Sequence, residues 1–187
     1  MAATADLFAE IPETGITAPQ WRKILADNAD TLAEAFRQGV NVENLVRGRA
    51  QMVDQVLARI WKEALGRYGD QLALIAVGGC GRGELFPYSD VDILILHHPG
   101  DLDTAGPDIE AFLTLMWDIG LDVGHSVRTA ADCASQARDD VTVITNMLES
   151  RCIAGNTLLH EQMQFSIAPE QVWPVREFFE AKLEEQR

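Results

Sequence analysis

The chain has 187 residues, 47% of them hydrophobic, so its length fits one domain with a substantial core and wholesale disorder is excluded. The formal net charge is -14, with 15 lysines and arginines against 29 acids and no basic cluster, which argues against a polynucleotide substrate. No stretch is apolar enough to cross a membrane, the N-terminus lacks a secretory signal, and three widely spaced cysteines favour reduced thiols in the cytoplasm.

The N-terminal part of the chain predicts a loose lead-in and two helices. Proline and glycine punctuate residues 1–18, and residues 21–37 then carry a helical pattern that stops at Gly39. Apolar side chains recur every three or four positions over residues 45–65, which places them on one face of a second helix. This second helix therefore offers a long apolar surface to the core.

Two apolar strands follow, with a glycine turn between them. The first strand is predicted over 72–77, Gly78 and Gly79 break it, and the second strand covers 90–96. The two glycines resemble part of a dinucleotide-binding fingerprint. That fingerprint needs a crossover helix of normal length before the next strand, and here the next strand arrives within about a dozen residues, so we discount a dinucleotide fold.

The C-terminal half predicts several helices and one further strand. In chain order these are a helix over 107–119, a strand over 121–128, a helix capped by Thr129, helices over 140–154 and 157–163, and a last helix that Pro169 opens. Nothing stops the last helix, so we expect the chain to be a truncated piece of a longer protein.

These elements predict an α/β (α+β) fold, with a small mixed sheet flanked by helices and helical extensions at both ends. We expect a lead-in and helix over 1–40, a central domain over 41–165 and the start of a C-terminal helical region over 166–187. The central domain contains the glycine turn and its two strands, so we expect the chemistry there.

Two aspartates stand one residue apart at the start of the second strand. Alternation along a strand puts Asp90 and Asp92 on one face, about 6.6 Å apart at roughly 3.3 Å per residue. Like charges about 4 Å apart repel by roughly 4 kcal/mol at an effective dielectric of about 20, unless a cation bridges them. Mg²⁺ prefers carboxylate and phosphate oxygens, so the pair predicts metal-assisted chemistry on a nucleotide, with a two-ion site.

A third acid, Asp122, lies in the otherwise apolar strand over 121–128. It either shares a metal site with Asp90 and Asp92 or marks the entry of its strand, and both interpretations stay open. Each feature is weak by itself, because an Asp-x-Asp pair is usually a solvated edge and two glycines are usually a turn. Their combination between two apolar strands favours a functional site.

The whole block over 78–92 resembles a known superfamily. Gly-Gly, then Ser-Asp-x-Asp on the next strand and a later hydrophobic-Asp-hydrophobic, is the signature of the DNA polymerase β-like nucleotidyltransferases. The longer string Gly-Gly-x-Gly-Arg-Gly-Glu-Leu-x-Pro-x-Ser-Asp-x-Asp, with the run over 123–129, is similar to the bacterial PII uridylyltransferase/uridylyl-removing family. Flanks over 47–61 and 177–186 agree, so the resemblance covers nearly the whole chain from about Phe36.

The resemblance implies a role for each residue that matches the signature. Gly78 and Gly79 would let the backbone approach the triphosphate of the nucleotide. Asp90 and Asp92 would hold Mg²⁺ ions. Asp122 would fill the third carboxylate position, as a further metal ligand, and would help to deprotonate the attacking hydroxyl.

Other residues of the block are candidates for nucleotide binding, each with a structural alternative. Ser89 would support the strand entry or contact a phosphate, and Arg82 and Arg128 would contact phosphates or pair with nearby acids. His125 is interpreted as a packed strand histidine. Cys80 stands where many members carry a serine or an aromatic residue, which leaves only its backbone as a phosphate contact.

The resemblance also implies a reaction. In that family UMP passes from UTP to a tyrosine hydroxyl of the signalling protein PII, and pyrophosphate leaves; the acidic composition suits a protein acceptor. Full-length members continue into a helical region, a metal-dependent phosphohydrolase domain that removes UMP, and two glutamine-sensing domains, none of which fits in 187 residues. We therefore expect transferase chemistry at most.

Two alternatives remain open. An adenylyltransferase of the same superfamily, which modifies glutamine synthetase or a small molecule, would share the aspartates and read a different base. A non-catalytic module would bind the nucleotide without turnover, although the presence of Asp90, Asp92 and Asp122 argues against it.

Overall fold

The computed structural model describes residues 15–173 and 175–185. It shows a four-stranded mixed sheet between layers of helices, with helices at both ends of the described chain, so the predicted fold class is confirmed. Most of the lead-in predicted over 1–18 lies outside the described residues. Within the described ranges, no helix combines the length and the apolar character needed to cross a membrane.

Two long helices come first, as the sequence predicts. Helix α1 covers Ala18–Arg37, and its first turn is closed by Thr17, whose backbone N–H donates to the Gln20 side chain at 2.8 Å. Helix α2 covers Val42–Leu65 and is capped by the Asn41 side chain, which accepts from the backbone of the second residue after it at 2.9 Å. Such caps satisfy the free N–H groups of a first helical turn.

The sheet is built from four short strands. They are β1 (Leu72–Ala76), β2 (Val91–His97), β3 (Val123–Arg128) and β4 (Arg151–Gly155). The order across the sheet is β3-β2-β1-β4. Strand β1 pairs with β2 and β4 antiparallel, whereas β2 and β3 run parallel.

Helices cover both faces of the sheet. The remaining ones are α3 (Gly78–Gly81), α4 (Leu102–Asp118), α5 (Ala130–Asp139), α6 (Val141–Leu148), α7 (Thr157–Ser166), α8 (Pro169–Val172) and α9 (Val175–Glu185), with a 3₁₀ turn at Gly66–Tyr68. Helices α2 and α4 contribute to the apolar cluster on one face, and α5, α6 and α7 to the cluster on the other. The two central strands, β1 and β2, are therefore buried on both sides.

Alternation along the central strands decides which layer each side chain meets. Val91 and Ile93 belong to the cluster with α2 and α4, whereas Leu94 and Leu96 belong to the cluster with α5, α6 and α7. Asp92 lies between Val91 and Ile93, so it points to the side of α5, α6 and α7. The Asp92 carboxylate thus faces the α6 layer at the end of the sheet.

Strand β4 corrects one prediction. Residues 140–154 were expected to form a single helix, but α6 ends at Leu148 and Arg151–Gly155 pairs with β1 as an edge strand. The five residues of β4 are too few to show a periodicity, and their strand conformation comes from pairing with the distant β1.

Two further helices also differ from the prediction. Helix α4 begins at Leu102, so Pro107 lies inside it and does not open it. At the C-terminal end, Pro169 opens the short helix α8, and α9 follows it over Val175–Glu185 where one continuous helix was expected. Proline lacks a backbone N–H, which a first helical turn does not need, so Pro107 favours a helix start in the sequence although it lies inside α4.

Candidate active site

Two carboxylates converge at the start of β2. The parallel pairing with β3 sets Asp92 opposite Gly124. A Cβ added to Gly124 would stand within 3.0 Å of Asp92 Oδ1 and at 3.9 Å from Asp90 Oδ2. The two side chains therefore cover the backbone of β3 at one point, and this point has room for them because residue 124 has no side chain.

The surroundings of this pair make a charge on Asp92 costly. Burial, and secondly the negative charge of Asp90, raise the pKa of the Asp92 carboxyl above its ordinary value. A divalent cation held between the two groups would remove both causes, because it neutralises the charge and replaces the lost water with its own coordination. Asp90 and Asp92 are thus the described residues best placed to hold a metal ion.

The glycine turn lies directly beside the carboxylates. Gly78 has φ +57°, a left-handed conformation that residues with a side chain rarely adopt. A Cβ there would come within 4.0 Å of Asp92 Oδ2 and 3.6 Å of the Asn146 side-chain oxygen. Val77 N–H donates to the Asp92 carbonyl at 3.1 Å, which ties the start of the turn to β2.

A partly buried ion pair supports the same turn. Arg151 of β4 donates to the Asp54 carboxylate at 3.1 Å and to the Cys80 carbonyl at 3.1 Å. Burial raises the pKa of the Asp54 carboxyl, and the hydrogen bond and charge of Arg151 act against this rise. One guanidinium therefore holds α2, the turn and β4 together.

The turn also needs a glycine where the chain passes close to α6. A Cβ at Gly81 would overlap the Glu149 carbonyl, so a side chain at this position would push the turn away from the end of α6. The Glu84 N–H then donates to the Gly79 carbonyl at 2.9 Å and closes the loop back on itself. The close approach explains the third glycine of the block in structural terms.

Asp122 lies beside the pair without joining it in a cluster. It immediately precedes β3, it is exposed, and its carbonyl accepts from the Val91 N–H at 2.7 Å. Across residues 15–173 and 175–185, no three His, Cys, Asp or Glu side chains are grouped closely enough to hold a metal ion. Asp122 as a third ligand or as a base therefore stays a prediction.

The other predicted nucleotide-binding residues differ in their positions. Arg82 is ion-paired with Glu84 at 3.3 Å and with Glu149. Ser89 lies at the entry to β2, and its N–H donates to the carbonyl three residues earlier at 3.1 Å. Arg128 ends β3, four residues or about 13 Å along the strand from the level of Asp92, which argues against contact with a phosphate bound there.

Three residues of the site were not predicted from the sequence. Gly124 could have been predicted from the sequence, because it lies two residues after Asp122 on the same strand face. Asn146 and Arg151 could not have been predicted, because only the packing of α6 and the pairing of β4 with β1 bring them to the turn. Each of them lies against a segment far away in the chain, and Arg151 also donates hydrogen bonds across it.

The comparisons with known proteins agree with this geometry. The family described as "Putative nucleotidyltransferase DUF294" matches residues 26–124, which is more than half of the chain. The chain belongs to this nucleotidyltransferase family. Its matched region contains the turn, both carboxylates and the paired glycine of β3, so the prediction of a nucleotidyltransferase enzyme is confirmed.

Several curated relatives of this nucleotidyltransferase domain carry the name bifunctional uridylyltransferase/uridylyl-removing enzyme. The protein of Stutzerimonas stutzeri is 48% identical over 167 residues, 89% of this chain and 19% of the relative. Those of Azotobacter vinelandii and Methylococcus capsulatus are 47% and 48% identical over 90% and 86% of this chain. The chain spans about a fifth of the length of these relatives, and the resemblance to their family is confirmed.

Proposed function

We propose that this domain transfers UMP from UTP to a tyrosine hydroxyl of the signalling protein PII and releases pyrophosphate. The convergence of Asp90 and Asp92 over Gly124, beside the left-handed turn at Gly78, is the observation that carries the proposal. The uridylyl donor is supported by the name of the relatives, and the PII acceptor by the resemblance of the block over 78–92. The three free thiols fit a cytoplasmic location, which we propose with it.

The donor set at the carboxylate pair fits Mg²⁺. Two carboxylates with oxygens near one point leave further coordination positions for phosphate oxygens, which is the pattern that Mg²⁺ favours over an all-protein cage. The raised pKa of Asp92 marks a carboxylate that gains from a cation. When bound, Mg²⁺ would neutralise charge on the triphosphate and on the departing pyrophosphate.

The residues of the chain then have separate tasks in the transfer. The tyrosine oxygen forms a bond to the α-phosphorus, the bond from that phosphorus to the bridging oxygen breaks, and pyrophosphate leaves. The left-handed turn at Gly78 brings the backbone close to the phosphates, with no side chain between. We assign to Asp122, which immediately precedes β3, the task of taking the hydroxyl proton and passing it to solvent.

The test is a labelling reaction with matched donors. The chain is incubated with Mg²⁺, purified PII and either UTP or ATP labelled in the α-phosphate, and label on PII is counted after separation. We expect label from UTP on PII, none after EDTA, and at least about a hundredfold less with Asp92→Asn. Asp103→Asn, an exposed acid of α4, is the control and should label PII normally.

Other outcomes would replace the proposal. Label from ATP alone would identify an adenylyltransferase of the same superfamily. Nucleotide binding without transfer to PII, measured in the same samples by equilibrium dialysis, would identify a binding module without turnover.

A further inference from the structure

A cavity of about 760 Å³ opens between α1, α2 and the loop that precedes β2. Its walls are mostly apolar, and they include Leu25 of α1 with Val46 and Val53 of α2. A volume of this size and a largely apolar lining are typical of specific ligand sites. The carboxylate pair and its glycine turn account for none of this space.

The cavity reaches the end of the sheet at the carboxylate pair. Ser89 and Val91, the neighbours of Asp90 in the chain, line it, and so does Asp122. Val91 points to the α2 layer, whereas the Gly78 turn and its neighbouring carboxylate lie on the α6 side. The cavity and the glycine turn thus approach the carboxylate pair, Asp90 and Asp92, from opposite faces of the sheet.

These positions match the two ends of an in-line displacement. In such a transfer the attacking oxygen and the leaving oxygen lie on opposite sides of the phosphorus. If the pyrophosphate leaves on the side of the Gly78 turn, the attacking hydroxyl arrives from the other side, where Asp122 borders the cavity. The acceptor is therefore the substrate that the cavity is placed to receive.

The rim of the cavity has the character of a protein-binding surface. Four large apolar side chains on it are exposed: Phe36 at 60%, Val42 at 48%, Phe86 at 54% and Tyr88 at 102%. Tyr88 also has φ +67°, which is strained for a residue with a side chain. Neighbouring exposed apolar side chains around a groove mark contact with another protein, and a single nucleobase would not need them.

A cation in the wall gives the cavity a charge preference. Arg49 lines it, and among the described residues the Arg49 Nε is buried without a hydrogen-bond partner. Burial lowers the pKa of its guanidinium, and no carboxylate in the described part of the chain offsets that effect. A half-buried guanidinium with an unpaired donor favours an anionic group on whatever enters.

We propose that this cavity is the acceptor site, and that it binds a peptide segment with an aromatic hydroxyl, apolar neighbours and a carboxylate. The hydroxyl-bearing side chain enters towards Asp122, the apolar neighbours contact the rim around Phe86, and the carboxylate pairs with Arg49. This assignment rests on the proposed function, because it supposes a tyrosine on a protein acceptor.

Two variants of the 187-residue chain test the site with matched controls. Ala29→Trp fills the cavity from an exposed position of α1, and Ala111→Trp places the same side chain on the exposed face of α4. Arg49→Met removes the charge and keeps the stem, and Arg47→Met does so for an exposed arginine two residues away, which is paired with Glu43. Transfer to PII gives KM and kcat, and dialysis with Mg²⁺ and α,β-methylene-UTP gives the nucleotide Kd.

We expect Ala29→Trp and Arg49→Met each to raise the KM for PII by about tenfold or more, with a nucleotide Kd within about twofold of wild type. The control variants Ala111→Trp and Arg47→Met should match wild type in the KM for PII and in the nucleotide Kd. An unchanged KM in both cavity variants, with active wild type, would overturn the acceptor site and leave the proposed function standing. A weakened nucleotide Kd would assign the cavity to the nucleobase, and inactive wild type would overturn the function itself.

Discussion

Replacing Gly124 with alanine tests how closely the sheet end controls the carboxylate pair. The new Cβ would stand within 3.0 Å of Asp92 Oδ1, whereas ordinary contacts begin at 3.4 Å, so the oxygen has to move by more than 0.4 Å. Catalytic groups must be held to within about 0.5 Å, and a misplacement of about 1 Å can cost about a hundredfold in rate. We expect transfer to fall by about tenfold to a hundredfold, or about 1.4–2.7 kcal/mol of barrier.

The fold itself should survive this change. Gly124 has no left-handed φ, so alanine is compatible with its backbone, and a loss of chain entropy in the unfolded state offsets part of any local strain. Gly106→Ala is the matched control, because Gly106 lies inside α4 and a Cβ there would meet no atom of the described residues within 4 Å. That variant should keep full activity and gain about 0.5–1 kcal/mol of stability.

The assay combines single-turnover labelling of PII with thermal unfolding of each variant. Full activity in Gly124→Ala would refute the reasoning, because the pair would then tolerate displacement. Loss of activity together with a large fall in melting temperature would also refute it, since the effect would be one of folding.

Three further predictions concern the support of the site and its titration. Arg151→Met should leave Asp54 without this partner and lower the free energy of unfolding in urea by about 1–2 kcal/mol. The loss is smaller than for breaking a fully buried ion pair, because the arginine is partly exposed. Because the pKa of the Asp92 carboxyl is raised in the folded chain, its ionisation costs stability, and this cost builds up as pH rises from the ordinary carboxyl pKa to the raised one. Without metal, Asp92→Asn should therefore melt above wild type at pH 7, and the difference should vanish below the ordinary carboxyl pKa. A wild type that melts higher at every pH would contradict this. Burial raises the pKa of Cys80 to about 12, so a thiol reagent at pH 8 should modify the partly exposed Cys152 first and Cys80 only after unfolding.

The elements with strong local patterns could be predicted from the sequence. The apolar periodicity of α2, the two strands around the glycine turn and the cap at Thr129 all follow from residues close together in the chain. For the same reason Asp90 and Asp92 could be placed on one face before their surroundings were known. Local pattern and final structure agree here because burial in the core stabilises the same apolar periodicity that the sequence shows.

The differences arise where distant segments decide the outcome. Residues 151–155 are too short to show a periodicity, and they become β4 because β1 offers a free edge. The same pairing brings Arg151 to the Cys80 carbonyl, so the hydrogen bond that supports the turn could not be predicted from the sequence. Asn146 reaches the turn only because α6 packs over the sheet, which no local pattern indicates.

The candidate site shows the same division. The residue types and spacing of the block identified the carboxylate pair, but the register between β2 and β3 decides that Gly124 lies beneath it. For Arg128 the register gives a position about 13 Å along β3 from the level of Asp92, and its contact with a phosphate stays a prediction. Period-2 patterns assign a face, and only the sheet register assigns a neighbour.

Binding of Mn²⁺ in place of Mg²⁺ tests most directly whether the pair at the start of β2 holds metal with the nucleotide. Free Mn²⁺ is followed by electron paramagnetic resonance during titration, with and without α,β-methylene-UTP. We predict tighter binding when the nucleotide is present, and a loss of at least about tenfold in Asp90→Asn and Asp92→Asn but not in Asp103→Asn. Equal Mn²⁺ binding by all four chains would contradict the account.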